Sequence, residues 1–446
     1  VAIGKQAGRS NQGTSGVAVG FTAGQITQGA NSVAVGNAAG QTSQSAYGVA
    51  IGAGAGGTSQ GTLSVGIGFQ AGLTTQGDNS VAVGSTAGQT SQGASAVAVG
   101  DTAGVTTQGT QSVAVGYRAG NSTQGAYAVS MGNTAGFSGQ GEFAVSMGNF
   151  AGANSQDSSS VAIGNLAGQT DQLQTSIAIG KSAGNANQGI NIGTFAILGQ
   201  GGSIAIGTSA GEDSQQSNTV AIGTTAGQTT QGLHSVAVGY QAGQTSQALG
   251  AVAVGGLSAS ISQGLYGVSV GYQAGATSQG DRATAVGPNA AQTSQGAESV
   301  AVGSKAGQSN QHANSILISS KGTALNSASV GDIKIESSTA WLRASGANWT
   351  SSGTTGNVSD IRLKENINPI TDALSKVQTL NGITFSYKES GAVATGLIAQ
   401  DVQAVLPEAV IEDEDGYLAV GYGNMVGLLV EAIKELTSRV KELESK

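Results

Sequence analysis

The chain of 446 residues contains no cysteine, three prolines and two histidines. Without cysteine it forms neither a disulfide nor a thiolate metal site, and two distant histidines do not suggest zinc, so we expect neither metal nor cofactor. Aromatic residues make up 4% and charged residues 9% of the chain, too few for a wide globular core of large side chains. No apolar run approaches the ~20 residues of a membrane helix, so we expect no membrane insertion.

The few charges are unevenly placed. The net charge is −8, which argues against nucleic-acid binding because affinity for phosphate depends on clustered Lys and Arg. About half of the charged residues fall within residues 359–446, about a fifth of the length, and this change marks a domain boundary near Ser359. The chain starts at Val1 within a repeat and without Met, so we expect further residues to precede it in the complete protein.

A sixteen-residue unit repeats along most of the chain. Units begin at Val17, Val33, Val49, Val65, Val81, Val97, Val113, Val129, Val145, Val161 and Ile177, and again at Ile204, Val220, Val236, Val252, Val268, Thr284, Val300 and Ile316. The longer step after Ile177 indicates an insertion at about residues 190–202, either a protruding loop or a local repair of register. The strict recurrence of β-branched residues argues against disorder, and units this short bury apolar surface only against their neighbours. This pattern predicts a solenoid on the order of 100 Å long.

One unit illustrates the expected local structure. Val81 and Val83 fall on one face of a short strand and Ala82 on the other. We expect the valines to stack into interior ladders, and the small alanines to face a crowded interface with other copies of the chain. Thr90–Gln92 is predicted as a second strand. Its glutamine recurs in every unit and indicates a structural amide ladder, with a sugar- or ice-binding strip as the alternative.

The position after the strand glycine varies between units. The tyrosines at this position, which are suited to stacking on sugars, are Tyr117, Tyr240 and Tyr272. We treat them as candidate glycan contacts, and the alternative is that they are scattered surface aromatics without a function.

The recurrent Ser-Val-Ala-Val/Ile-Gly core of the units, as in Ser80–Gly84, Ser112–Gly116 and Ser160–Gly164, resembles the head repeats of trimeric autotransporter adhesins (YadA-like). Similar repeats occur in bacteriophage tail fibres. The resemblance covers residues 1–318 and implies a mainly β fold, a left-handed parallel β-roll of three chains around one axis. Residues 319–358 follow as a predicted β stem.

Residues 359–446 have a different character. The Ser-Asp-x-x-Leu-Lys start at Ser359, the core Gly396–Val402 and a final helix resemble the C-terminal intramolecular chaperone of endosialidases and phage tail fibres. The resemblance implies a small α+β domain that helps three chains to assemble and then cuts itself off. By position, it implies that Ser359 is the nucleophile, Lys364 is the general base and the Val358–Ser359 bond is cleaved.

This chemistry is reasonable for the residues themselves. A serine hydroxyl is a weak nucleophile until a base removes its proton, and a lysine serves as that base once desolvation favours its neutral form. Five residues of separation allow contact between the two side chains if the segment bends. On spacing alone such a pair carries no functional meaning, so the expectation rests on the resemblance.

The final helix carries apolar residues at heptad spacing. The two lines are formed by Val426, Leu429, Ile433, Leu436, Val440 and Leu443. This stripe predicts a coiled-coil seam between three chains, with Asn424 as the N-cap. The alternative is a helix that packs on its own domain.

These observations predict a homotrimeric tail fibre of a bacteriophage virion. We expect its missing N-terminal part to join other tail or baseplate proteins, and its shaft to contact a glycan or protein of the bacterial surface. The enzymatic activity we consider is a single self-cleavage without external substrate. Alternatives are a bacterial trimeric adhesin head, which should end in a membrane β-barrel, and a fragment of a polysaccharide-degrading tailspike, which would need paired carboxylates.

Overall fold

The computed structural model describes residues 1–189, 201–338, 341–345, 348–351, 359–388, 391–412 and 416–446. Contacts within the chain divide it into two units, Val1–Thr354 and Thr355–Lys446. The first unit is a β-solenoid with two parallel sheets, and the second is a small α+β domain. Each is described by itself below.

One sheet of the solenoid, the valine sheet, consists of the strands that open the units. These strands are Ala2–Ile3, Val17–Val19, Val33–Val35, Val49–Ile51, Val65–Ile67, Val81–Val83, Val97–Val99, Val113–Val115, Val129–Met131, Val145–Met147, Val161–Ile163, Ile177–Ile179, Ile204–Ile206, Val220–Ile222, Val236–Val238, Val252–Val254, Val268–Val270, Thr284–Val286, Val300–Val302 and Ile316–Ser319. Val81 pairs with Val97, and Val97 pairs with Val113. The predicted stacking of units in register is therefore confirmed.

The other sheet, the glutamine sheet, lies along the second strand of each unit. Its strands are Ser10–Gln12, Ile26–Gln28, Ser43–Gln44, Ser59–Gln60, Thr75–Gln76, Ser91–Gln92, Thr107–Gln108, Thr123–Gln124, Ser138–Gln140, Asn154–Gln156, Thr170–Gln172, Asp213–Gln215, Thr229–Gln231, Thr245–Gln247, Ile261–Gln263, Thr277–Gln279, Thr293–Gln295 and Ser309–Gln311. Single bridges from Thr170 to Ala186 and from Ala186 to Asp213 connect its two halves. The solenoid thus presents two long parallel ladders.

The predicted insertion does not shift the register of the stack. Ile177 pairs directly with Ile204 across it, although residues 190–200 themselves lie outside the described residues. At the other end, the valine sheet continues through Ile333–Glu336 and then through the antiparallel strands Trp341–Ser345 and Asn348–Ser351. In its described parts, the segment predicted as a stem therefore adds strands to the same sheet.

The solenoid interior is made of alanine, and the prediction of interior valine ladders was wrong. Ala82 is fully buried, whereas Val81 and Val83 are only partly buried. The cause is the narrow space between the two sheets, which must also hold a buried glutamine. A Cβ added at Gly88 would lie 3.3 Å from the Ala82 methyl and 2.9 Å from the Gln92 amide oxygen. Only a small residue such as glycine, alanine or serine fits the inner strand position of such a coil.

The last unit supports this explanation. Leu317, at the position that Ala82 occupies in its own unit, is fully buried. The residue that corresponds to the glutamine in this unit is Ser327. Because the long amide side chain is absent there, the interior has room for a leucine. The glutamine therefore sets the size of the inner strand residue.

The glutamine column joins the two sheets, as expected for a structural amide ladder. The Gln92 Nε2 donates to the carbonyl oxygen of Val81 at 2.7 Å and to that of Ala96 at 3.2 Å, and Gln92 is 2% exposed. In part of the solenoid each amide also donates to the next, from Gln215 to Gln231 and on to Gln247. Backbone carbonyls that would otherwise be buried without a donor are thereby satisfied.

In its described residues, the second unit contains three helices and two antiparallel strand pairs. Helix α1 spans Ala373–Thr379, α2 spans Ala399–Val405 and α3 spans Tyr422–Glu444, with 3-10 turns at Ile361–Leu363 and Pro407–Ala409. The strand pairs are Ile383–Ser386 with Val393–Gly396, and Val410–Glu412 with Leu418–Val420. Its small core includes Ala373, Val402, Ala409, Met425 and Leu428.

Helix α3 begins earlier than predicted and is not capped by Asn424. The helix starts at Tyr422 after Gly421, and the Asn424 Nδ2 donates to the carbonyl oxygen of Glu408 instead. Further along, the Glu435 carboxylate accepts the backbone N–H groups of Ala373 and Leu374 at 2.9 and 2.8 Å. A residue of α3 therefore caps the first turn of α1, where these donors have no helical partner. The two N–H donors hold the pKa of Glu435 below its ordinary value.

We predict that Gly100→Ala destabilises the solenoid by at least about 2 kcal/mol, because the residue has a left-handed backbone and an added Cβ would meet the carbonyl of Gly116. Ser85→Ala, at an exposed position of the neighbouring unit, is the matched control and should change stability by about 0.5 kcal/mol or less. Chemical denaturation with limited proteolysis around residue 100 measures both. Equal stability of the two variants would contradict the stacking geometry.

We also predict that Glu435→Gln weakens the attachment of α1 to α3. A carboxyl whose pKa is lowered by folding stabilises the fold above its unfolded pKa, and this contribution disappears as the pH falls through its folded pKa. The wild type should therefore be more stable than the variant at neutral pH and should lose this advantage in acid. Urea unfolding followed by helical circular dichroism tests this. Glu444→Gln, an exposed change on the same helix, should show no such pH-dependent difference.

Candidate self-cleavage and assembly site

A tight turn at the start of the second unit positions the predicted dyad. The Asp360 carboxylate caps the 3-10 turn Ile361–Leu363 by accepting the Arg362 backbone N–H at 2.9 Å, and it also pairs with the Arg362 guanidinium at 2.7 Å. This pairing holds the pKa of Asp360 below its ordinary value. The Lys364 N–H then donates to the Ile361 carbonyl at 3.1 Å. The segment therefore bends as the dyad requires.

The bend brings the two predicted catalytic side chains together. The Lys364 Nζ donates to the Ser359 Oγ at 2.6 Å. Both residues are exposed in the single chain, and Val358, on the other side of the predicted scissile bond, lies outside the described residues. The geometry suits proton transfer from the hydroxyl to an uncharged amine. It lacks the dry surroundings that favour the uncharged form of an amine.

Apolar residues around the dyad are exposed as well, which the sequence analysis did not single out. Ile361, Leu363 and Ile367 are 71%, 75% and 63% exposed. A segment this apolar is rarely left in water by a soluble protein unless it contacts a partner. The alternation of Ile361 and Leu363 with charged residues was the signal that could have identified it.

Different faces of the final helix are buried and exposed. Met425, Leu428 and Ala432 of α3 are buried against the rest of the unit. The predicted heptad residues are 43% to 67% exposed and comprise Val426, Leu429, Ile433, Leu436, Val440 and Leu443. The helix thus packs on its own domain and still presents an apolar stripe to solvent.

The three candidate tyrosines are all on the surface but do not form one site. Tyr117 is 47% exposed, and the Arg118 guanidinium carbon lies 5.4 Å from the centre of its ring. Tyr240 and Tyr272 are 57% and 55% exposed. They occupy the same position two coils apart, and the Tyr272 ring lies next to Gly256 of the coil between them. Tyr117 lies many coils away from this pair.

Two further properties concern only the described residues. They contain no group of three or more His, Cys, Asp or Glu side chains arranged to hold a metal ion. None of the helices found in the described ranges combines the length and the apolar character that crossing a bilayer requires.

The C-terminal unit matches a known protein family. Residues 359–411 match the family model described as chaperone of endosialidase. Over this segment the chain is similar to that family. The match begins at Ser359, the first residue of the dyad, and includes the 3-10 turn, α1, α2 and the first strand pair. The region that follows in the second unit contains α3.

Curated relatives include phage fibre proteins. The chain is 50% identical over 97 residues to long tail fiber protein Gp37 of Enterobacteria phage K3 and to that of Enterobacteria phage T2. It is 36% identical over 107 residues to myelin regulatory factor homolog 1 of Caenorhabditis elegans. These matches cover 20%, 20% and 21% of this chain, and 8%, 7% and 11% of the relatives' own lengths. Together with the solenoid, the chaperone domain and the phage relatives fit a tail fibre with a C-terminal chaperone domain.

Proposed function

We propose that this chain is part of a homotrimeric bacteriophage tail fibre and thus a component of the virion. The solenoid is the shaft that contacts the bacterial surface, and the chaperone domain brings three chains together. The observation that carries the proposal is the chaperone match at residues 359–411 combined with the identity to phage long tail fibre proteins. The fibre assembles with other phage tail proteins. The phage relatives favour this function over a bacterial adhesin.

Two exposed apolar surfaces support the trimer. The outward side chains of the valine sheet are half-buried in the single chain, with Ile51, Met131 and Ile222 between 37% and 41% exposed. They recur in every coil and so form a continuous stripe along the shaft. The heptad stripe of α3 is the second surface. Identical stripes on three chains are buried by packing around one axis, which is the closed arrangement that homo-oligomers favour.

The chaperone domain then releases itself from the shaft. The Lys364 amine takes the proton of the Ser359 hydroxyl, whose Oγ attacks the carbonyl carbon of Val358. The C–N bond to Ser359 breaks as an ester to its Oγ forms, and the freed nitrogen receives the proton. Water hydrolyses the ester, which leaves a carboxylate at residue 358 and restores the serine hydroxyl. The reaction occurs once per chain and has no external substrate.

Assembly controls when this reaction occurs. In the single chain the Lys364 side chain is exposed, so water surrounds the group that must act as the base. Neighbouring chains that cover Ile361, Leu363 and Ile367 exclude water from the adjacent dyad and favour the neutral amine. Cleavage therefore follows trimer formation.

We predict that the assembled wild-type protein yields two fragments, residues 1–358 and 359–446, in intact-mass analysis. Ser359→Ala and Lys364→Ala should each leave one full-length species, because the first removes the nucleophile and the second removes the base. The matched control is Ser375→Ala on α1, where the serine is exposed, and it should be cleaved like the wild type. If the wild type forms trimers and stays intact, the cleavage is wrong while the fibre assignment stands.

We further predict that Leu436→Asp prevents trimer formation, since it places a charge in the α3 stripe. Light scattering should report a lower chain count for this variant than for the wild type. Ser438→Asp adds the same charge two residues away, outside the heptad lines, and should leave the chain count unchanged. A wild-type protein that is monomeric would exclude the proposed fibre, and an unaffected Leu436→Asp trimer would exclude the coiled-coil seam.

A further inference from the structure

The glutamine sheet has a break in its pairing near the middle of the first half. Between the strands Thr123–Gln124 and Ser138–Gln140 only the glutamines pair, whereas the next strands pair at two positions. The reason is a change of backbone: Gly139 has φ 71°, and Ser155 in the next coil has φ 54°, while Thr123 is not left-handed. The ladder continues through Gln124 and Gln140 but changes its backbone here, as it also does between Gln28 and Gln44.

A groove of about 480 Å³ lies at this break. Residues that line it include Thr123, Gly139, Ser155, Asp157, Asp171 and Leu173. It is on the glutamine sheet, so packing of three chains through the valine sheet leaves it open. Its lining combines two carboxylates with hydroxyl groups and one apolar side chain, and it includes no basic residue.

Gly139 contributes no side chain to the groove, although the fold does not require a glycine there. Every other repeat unit carries Ser, Thr, Asn or Asp at this position, and Ser155 adopts the same left-handed backbone. A Cβ at Gly139 would find its nearest neighbours, the Ser155 Cα and N, at 3.7 Å, which is ordinary contact. By comparison, a Cβ at Gly93 would lie 2.6 Å from a backbone nitrogen. Packing therefore does not require a glycine at position 139.

Two stacked aromatic rings belong to residues that are close in sequence to those lining the groove. Tyr127 and Phe143 lie with their ring centres 5.0 Å apart and their planes within 7°, and they are 47% and 53% exposed. Phe143 follows the groove residue Gly141 by two positions. Both aromatics have φ 60°, which is unfavourable for a bulky residue, whereas Ser95 and Ser159 occupy this position in other coils. Tyr47 and Tyr266 adopt the same conformation at this position of other coils, so the stacking of two rings in adjacent coils is what distinguishes Tyr127 and Phe143.

We propose that this groove and the adjacent aromatic pair bind a polysaccharide chain of the bacterial surface built from neutral or amine-bearing sugars. Aromatic rings offer an apolar surface to a sugar ring, and the Asp157 and Asp171 carboxylates accept hydrogen bonds from sugar hydroxyls or ammonium groups. The carboxylates, without a basic partner in the groove, repel uronic and sialic acids. The proposal rests on the proposed host-contacting function and assigns it to a particular site.

The repeat supplies substitutions that preserve the fold. Gly139→Ser, Asp171→Ser, Tyr127→Ser and Phe143→Ser each introduce the residue found at the same position of another coil. The matched control is Tyr266→Ser, which removes an exposed tyrosine from the same repeat position outside the groove. Equal melting temperatures of the full chain and its variants show that folding is intact.

The experiment measures binding of the full chain to an array of immobilised neutral, amino-sugar, uronic-acid and sialylated oligosaccharides. We expect the wild type to bind neutral or amino-sugar chains. Gly139→Ser and each aromatic substitution should weaken binding by about tenfold or more, and Asp171→Ser should do so most for amino sugars. Tyr266→Ser should bind like the wild type.

The other outcomes distinguish a failure of the groove proposal from a failure of the proposed host-contacting function. Wild-type binding that all groove variants retain overturns the groove and leaves the host-contacting function in place. Binding confined to acidic sugars overturns the ligand class. A wild type that binds no glycan on the array, but adheres to bacterial cells whose surface proteins are intact, overturns the glycan site and supports contact with a protein. Absence of both kinds of binding overturns the host-contacting function as well.

Discussion

The narrow space between the two sheets of the solenoid determines most of its other properties. That space holds an alanine methyl and a folded glutamine side chain, so the inner strand position accepts residues such as Ala82, Gly66 and Ser130. The core has little apolar volume, and cohesion comes mainly from the two parallel ladders and from the amides that connect them. The larger apolar residues have no place inside and lie on the outer face of the valine sheet. A single chain therefore pairs its backbone in two long ladders but leaves much of its apolar surface exposed.

The same exposure appears in the chaperone domain. Its core is small, and apolar residues such as Ile361 and Leu436 remain exposed. Each unit of the chain thus satisfies its own backbone and leaves apolar surface for a neighbour. Because one of these surfaces surrounds the Ser359–Lys364 pair, covering it changes the solvent around the lysine as well as the stability of the assembly. In the proposed mechanism, the burial of apolar residues that stabilises the trimer also favours the neutral Lys364 amine, which is the base needed for cleavage.

Repetition made the solenoid predictable, and the dimensions of one coil made part of it unpredictable. The period and register follow from the spacing of Val81, Val97 and Val113 alone. The face of the strand that points inward cannot be predicted in this way, because valine is more apolar than alanine and a single unit does not indicate how wide its interior is. The Ser359–Lys364 pair was found through a family resemblance, and only the structure showed the turn capped by Asp360. The N-cap at Asn424 failed because a carbonyl distant in sequence engages that side chain.

A repeat protein provides its own reference for function. When a residue departs from the pattern of its position, the fold either explains the departure or does not. Leu317 is explained, since the long glutamine is missing from its coil and leaves room. The fold does not explain the glycine at position 139, since the neighbouring coil accommodates Ser155 with the same backbone. The stacked aromatics beside it carry unfavourable backbone angles and gain little burial. Departures that cost stability or leave it unchanged, and that occur in neighbouring coils, are what selection for a ligand produces on a scaffold whose other positions are fixed by stacking.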